Sequence, residues 1–151
     1  MPNAIILVGI PTSGKSTFCK GQDHYQVLSR DNIRYYLFGE KYKQNHQDEL
    51  EVTARYDDVF GTWTRLGYNI ILDNCHCRES YIIQALKNLE AAGYTVRIRF
   101  FDIPLWKAFY RNIKRRISTG KWIPWDVIKN MKANYDKIDK SKYLNYLYDP
   151  F

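Results

Sequence analysis

Val8-Gly9-Ile10-Pro11-Thr12-Ser13-Gly14-Lys15-Ser16-Thr17 is the stretch on which the reading of this chain turns. Gly9, Gly14, Lys15 and Ser16 fill every defined position of the phosphate-loop pattern G-x-x-x-x-G-K-[ST]. The apolar run Ala4-Ile5-Ile6-Leu7-Val8 before it reads as a buried parallel strand, and a short amphipathic stretch follows it. Glycines at 9 and 14 let the backbone turn tightly and keep Cβ atoms from standing between N–H groups and an anion. The loop, with Pro11, Thr12 and Ser13, and the helix start at Lys15, Ser16 and Thr17 then form a cradle for phosphates. In such a cradle Lys15 reaches the β- and γ-phosphates of a nucleotide, and Ser16 holds the Mg²⁺ that bridges them.

Working outward, 151 residues suit one domain, residues 1–151, with a single core and no room for a second catalytic module. Hydrophobic residues at 45% and aromatics at 16% place the chain among folded proteins. The formal charge of +7 suits a polyanionic partner such as nucleic acid, although it also serves solubility. Three cysteines, two of them flanking His76, make no disulfide framework, and adjacent ligands without a second pair argue against zinc. A reduced, cytoplasmic setting follows. The N-terminal apolar run lacks a charged leader, and no segment reaches the ~20 apolar residues of a membrane span, so neither a signal peptide nor a membrane partner is expected.

The rest of the chain reads as alternating strands and helices. Ser16 to Lys20 opens the first helix, with Gly21 near its end, and Tyr25 to Ser29 is a short second strand. Arg30-Asp31-Asn32-Ile33-Arg34 opens a helix at that strand's C-terminal end, the edge where ligands gather in open α/β sheets. Gln44 to Leu66 carries Leu50, Val52, Tyr56, Val59, Phe60 and Trp63 near one face and reads as one extended helix or two joined ones. Asn69 to Asp73 is an apolar strand that ends in a carboxylate, placed to face Mg²⁺ or its water. Arg78 to Ala92 is a helix with Ile82, Ile83, Leu86 and Leu89 inward; Tyr94 to Phe101 is a strand; and Pro104 suits the first turn of a helix from Leu105 to about Arg116. Arg111, Lys114, Arg115 and Arg116 crowd the end of that helix, where charge is favourable on a solvated face. With the loop Ile117 to Ile123, they also suit a lid over a triphosphate, about residues 111–124. Pro124 starts a helix to about Asp139, with Val127, Ile128, Met131 and Tyr135 inward, and the tail Ser141 to Phe151 packs back on the body. The expected fold is a P-loop NTPase-type α/β three-layer sandwich, a parallel sheet of about four strands flanked by helices, with a helical lid.

Six segments in order then resemble the kinase domain of the bacteriophage polynucleotide 5′-kinases. They are Gly9 to Thr17, Ser29 to Arg34, Ile71-Leu72-Asp73-Asn74, Phe101-Asp102-Ile103-Pro104, Arg111 to Arg115, and Ile123 to Ile128. The resemblance implies ATP as donor with Mg²⁺, and a 5′-hydroxyl end of DNA or RNA as acceptor. It implies Asp31 as general base on the 5′-hydroxyl and Arg34 on the phosphate of the acceptor nucleotide. Arg115, with Arg111 second, is the implied lid arginine on the β- and γ-phosphates. Asp73 is left between two roles, holding water on Mg²⁺ or orienting Arg34. Family members often carry a 3′-phosphatase domain after the kinase; here a separate phosphatase or ligase would act in the same pathway, in the host cytoplasm if the chain is phage-encoded. The segment Asn74-Cys75-His76-Cys77-Arg78 departs from the family's Thr-Asn-rich stretch. Two other readings stay open: a P-loop kinase of a nucleoside, a sugar or a zeta-toxin-like substrate, and a basic nucleic-acid-binding protein without turnover.

Overall fold

The computed structural model describes residues 1–39, 45–120 and 122–148. Gln44, Lys121 and the last three residues of the tail, all covered by the expectations above, lie outside them. Four parallel strands, β1 (Asn3–Gly9), β2 (Gln26–Leu28), β3 (Ile70–Leu72) and β4 (Thr95–Phe101), form one sheet in the order β2-β3-β1-β4. β1 is central because every residue from Ala4 to Gly9 is buried. It pairs in register with β3 from Ala4↔Ile70 to Ile6↔Leu72, and with β4 from Asn3↔Thr95 to Gly9↔Phe101.

Alternate side chains of a strand point to opposite faces, and the two faces of β1 meet different partners. Ala4, Ile6 and Val8 join Leu72, Val96 and Ile98 under Val52 of α3 (His46–Leu66) and Ile82, Leu86 and Leu89 of α4 (Glu79–Ala91). Ile5 and Leu7, with Ile71, pack against Phe18 and Cys19 of α1 (Lys15–Lys20) and against Tyr148. These are the three layers that the apolar runs imply. The edge strand β4 gains a short extension: Tyr148 N–H donates to Ile98 O at 2.9 Å, and Leu147 bridges to Ile98 in parallel. The tail thus packs back on the sheet as far as it is described.

Several element ends differ from the sequence reading, each for a local reason. α2 (Arg30–Phe38) begins where expected, its N-cap Ser29 accepting from Asn32 N–H. α3 is one helix, capped by Asn45; Val52 is fully buried, whereas Leu50 points outward at 50% exposure. Ile83 and Val127 are likewise on outer faces. α5 (Leu105–Thr119) runs past Arg116, because the Ser118 and Thr119 hydroxyls donate back to Arg115 O and Gly120, at φ +74°, closes the helix through its N–H to Arg116 O. α6 (Trp125–Asp136) stops before Asp139, which instead caps a 3₁₀ helix, Lys140–Tyr146. Asp102 at the end of β4 ties both together, accepting from Lys132 at 3.0 Å and lying 3.7 Å from Lys140.

His76 sits buried below the loop edge with φ +47°, its Nδ1 donating to Leu7 O at 2.8 Å and lying 3.1 Å from Asn74 O. Burial holds its imidazole down at about 4, well below the ordinary 6.5. An unfolded chain therefore binds this proton from 6.5 downward while the folded one does not, so stability is intact above that pH and falls as pH drops toward 4. Thermal unfolding followed by circular dichroism across the acid-to-neutral range should show this loss. His76→Asn, which tolerates the left-handed backbone, should flatten that part of the profile.

Candidate nucleotide and acceptor site

Because the four strands are parallel, their C-terminal ends deliver four connections to one edge: residues 10–14 after β1, 29 after β2, 73–78 after β3 and 102–104 after β4. The first is the phosphate loop. A Cβ on Gly9 would stand 2.6 Å from Ser13 Oγ and 2.9 Å from Phe101 Cβ, so only glycine fits there. Gly14 turns at φ +107°, and Thr12 also takes a left-handed backbone at φ +68°. Lys15 is buried in the cradle, its Nζ donating to Gly9 O at 2.8 Å and to Cys75 Sγ at 3.4 Å.

The loop fits a phosphate on observations of its own. Among the described residues Ser13 Oγ is buried with no hydrogen-bond partner and no side chain caps the start of α1, leaving its first N–H groups to an anion. Ser16 is exposed on the first turn of α1. Asp73, half-buried one residue past β3, has its carboxyl raised by burial, an effect that the Lys15 ammonium and a hydrogen bond from the Cys19 thiol oppose. Burial and then Asp73 push the Cys19 thiol up to about 12. A hydroxyl and a carboxylate are hard oxygen donors, the kind Mg²⁺ takes.

The segment after β3 does more than the sequence reading gave it. Cys75 O accepts Gly9 N–H at 3.0 Å, which fastens the loop's first residue to the end of β3. The neighbouring Cys77 thiol, with help from Lys15, holds the Cys75 thiol below its ordinary value against the effect of burial. A lysine partner at the start of α1, 60 residues away, leaves no trace in local sequence.

On the β2 side, Asp31 is 88% exposed at its side chain and pairs with Arg34 one turn on. Arg34 is gripped by Glu49 of α3, Nε to Oε1 at 2.7 Å and Nη2 to Oε2 at 3.2 Å, a two-point pairing that raises the guanidinium above its ordinary pKa. Arg30 reaches the same Glu49 at 2.9 Å and Thr53 Oγ1 at 2.9 Å. Asn74 closes the network, accepting from Arg30 N–H at 3.0 Å and donating to Tyr56 OH at 3.1 Å. Glu49 escaped the sequence reading; its place in the first turn of a helix was the one available signal, and that signal speaks of helix capping.

On the β4 side, Arg111 Nη1 donates to Thr12 O at 2.9 Å, and Thr12 Oγ1 donates to Ala108 O at 3.3 Å. α5 is thereby seated on the phosphate loop at Arg111. Arg115, one turn further, is exposed. Buried Asn112 donates to Ile123 O at 2.8 Å and accepts from Ile123 N–H at 3.0 Å, joining the helix to the chain that returns from residues 113–122.

A parallel sheet in this order, with a glycine-lysine loop after its central strand and charged groups on the flanking connections, is a P-loop kinase-like fold, one that implies nucleotide binding and, in most members, Mg²⁺. Residues 5–138 match the AAA domain family, and the chain belongs to it. It is 25% identical, over 92% of its length, to a candidate bifunctional polynucleotide kinase/RNA ligase of Autographa californica nuclear polyhedrosis virus, 22% of which it spans. Among solved structures it is similar to a chain of the Pnkp1/Rnl/Hen1 RNA repair complex, at 25% identity and a TM-score of 0.81, covering 91% of this chain and 46% of that one. A chain of the PezAT toxin-antitoxin system of Streptococcus pneumoniae shares the fold at 17% identity and a TM-score of 0.68, over 97% of this chain and 66% of that one. The chain thus spans less than half the length of the first two relatives.

Gly9→Ala should cost nucleotide affinity about tenfold or more, because the new methyl must displace Ser13 or Phe101 from the cradle. Titration with a fluorescent ATP analogue measures it; an unchanged dissociation constant would show that the cradle is not where nucleotide binds.

Proposed function

We propose that this chain is an ATP-dependent polynucleotide 5′-hydroxyl kinase module, with residues 111–124 as its lid and an RNA end as the favoured acceptor. The observation that carries this reading is the Asp31–Arg34–Glu49 arrangement beside a phosphate loop: an open carboxylate next to an arginine already held in a fixed plane. The likeness to a polynucleotide kinase/RNA ligase and to a chain of an RNA repair complex supports it.

In this reading Gly9, Pro11, Thr12, Ser13, Gly14, Lys15, Ser16 and Thr17 hold the donor. ATP supplies the transferable γ-phosphoryl group and Mg²⁺ neutralises its oxygens. Ser16, and Asp73 through water, would hold the metal. Lys15 leaves Gly9 O and Cys75 for the phosphate oxygens, a stronger acceptor set. Asp31 takes the proton from the 5′-hydroxyl as that oxygen attacks the γ-phosphorus of ATP, while the bond from that phosphorus to the β–γ bridging oxygen breaks and ADP leaves. Arg34 keeps its two bonds to Glu49 and turns the Nη1 group now given to Asp31 to a phosphate of the acceptor. Arg111, already on the loop, and Arg115, carried by the lid, meet the β- and γ-phosphoryl oxygens. A separate ligase or phosphatase would take the same ends.

The test is transfer of label from γ-labelled ATP to a 5′-hydroxyl oligonucleotide, with a mononucleoside and a sugar as competing acceptors. Transfer to the small molecule alone would replace this reading with that of a small-molecule kinase, and no transfer to any acceptor would favour a binding protein without turnover. Asp31→Ala should abolish transfer with ATP affinity kept, whereas Arg34→Ala should weaken the acceptor and spare the donor. A fall in ATP affinity on losing Asp31 would move that carboxylate to the metal.

Glu49→Gln should lower kcat/KM for the acceptor by about tenfold and leave KM for ATP unchanged, since an amide offers one acceptor oxygen where Arg34 and Arg30 now share two. Steady-state kinetics with each substrate varied in turn separates the two effects.

A further inference from the structure

The outward face of α5 takes no part in the site described above. Its composition is one-sided: from Leu105 to Ile123 the chain carries six cations, Lys107, Arg111, Lys114, Arg115, Arg116 and Lys121, and no Asp or Glu. Elsewhere Arg30, Arg34, Lys132, Lys140 and Lys142 are each paired with a carboxylate. Among the described residues no carboxylate pairs with a cation of α5. Alongside these charges runs an apolar stripe at helical spacing, Trp106, Tyr110, Ile113 and Ile117, at 68%, 61%, 54% and 83% exposure. It lies opposite Ala108 and Asn112, which face the body, so it adds nothing to the core. Lys107 and Lys114 border it on the side of Arg111.

We infer that this face is a docking track for single-stranded RNA, the body of the strand beyond its 5′ end. The choice of polyanion rests on the polynucleotide-kinase reading; the track itself rests on the face. A second copy of the chain would bring the same unpaired cations against it, which disfavours self-association. A nucleic-acid strand supplies both missing partners, regularly spaced negative charge for Lys107 and Lys114 and flat apolar faces for Trp106 and Tyr110. Those two rings stand one helical turn apart, close enough for successive bases. The helix is seated on the phosphate loop through Arg111 and Thr12, so a strand held here stays beside the reaction centre.

The experiment compares binding and turnover in the full chain. Fluorescence anisotropy with a single-stranded RNA of about twelve nucleotides measures binding without any chemistry. Trp106→Ala/Tyr110→Ala should weaken it by about tenfold or more, since each stacked base is lost with its ring. Lys107→Gln should lessen the slope of log affinity against log salt by about 0.7, one single-strand phosphate contact. Label transfer to a 3′-phosphorylated mononucleoside, too short to reach the helix, should be unchanged in both variants. All three side chains are exposed, so the fold is kept, as circular dichroism will confirm. Unchanged RNA affinity and salt slope would overturn the track. So would an equal loss of mononucleoside turnover, or dependence on these residues of self-association or phosphatidylserine-vesicle binding while RNA binding stays unaltered. Because anisotropy needs no turnover, failure of the kinase reading would show in label transfer alone.

Discussion

The hydrogen bond from Gly9 N–H to Cys75 O is the point on which the arrangement of the site depends. It fixes the last residue of the central strand to the segment leaving β3, while on the other side Gly9 lies against Phe101 of β4 so closely that no side chain fits between. The loop therefore starts from one position relative to both neighbours. The same glycine's carbonyl accepts from Lys15, which closes the loop on itself. His76 below, bonded to Leu7 O, holds the Cys75 segment at that height. Residues 9, 15, 75 and 76 are in this sense one unit, although they belong to a strand, a helix start and a connecting segment.

On either side of this unit the sheet presents two kinds of charge. The β2 side carries an arginine-rich network in which carboxylates already occupy the cations, with Glu49 serving both Arg30 and Arg34. Its cost in ordering side chains is met in the folded protein, before any acceptor arrives, which is the usual meaning of preorganisation. On the β4 side the cations of α5 meet no carboxylate among the described residues, and of them Arg111 reaches the loop through a described hydrogen bond. A highly charged ligand would find the first side rigid and the second adaptable.

Much of this was legible in the chain because it is local. A buried parallel strand shows as an unbroken apolar run, and a phosphate loop shows as glycines and a lysine at set intervals, so β1, the loop and the ends of β2 and β3 follow from reading along the sequence. Asp31 and Arg34 could be placed at the sheet edge for the same reason. Glu49, Cys75 and Asn112 could not be placed in the site, since what they do depends on partners 15, 60 and 11 positions away that only the fold brings near. The extra turn of α5 was missed because Ser118, Thr119 and Gly120 look like a loop, yet two hydroxyls bonding backward and a left-handed glycine make a helix end. Asp102 and Pro104 drew notice as part of a motif; the structure gives Asp102 the plainer task of anchoring α6 and the 3₁₀ helix through lysines.

Asn112 and Ile123 are joined as two neighbouring strand residues would be, donor to acceptor in both directions, but with a side chain standing in for one backbone. The ten residues between them form a ring with its ends tied, and the entropy of bringing those ends together is already spent. Because Arg111 and Asn112 are neighbours on one helix, the bond that seats α5 on the phosphate loop and the tie that holds Ile123 act at the same turn, so the loop and the start of α6 share one point of attachment.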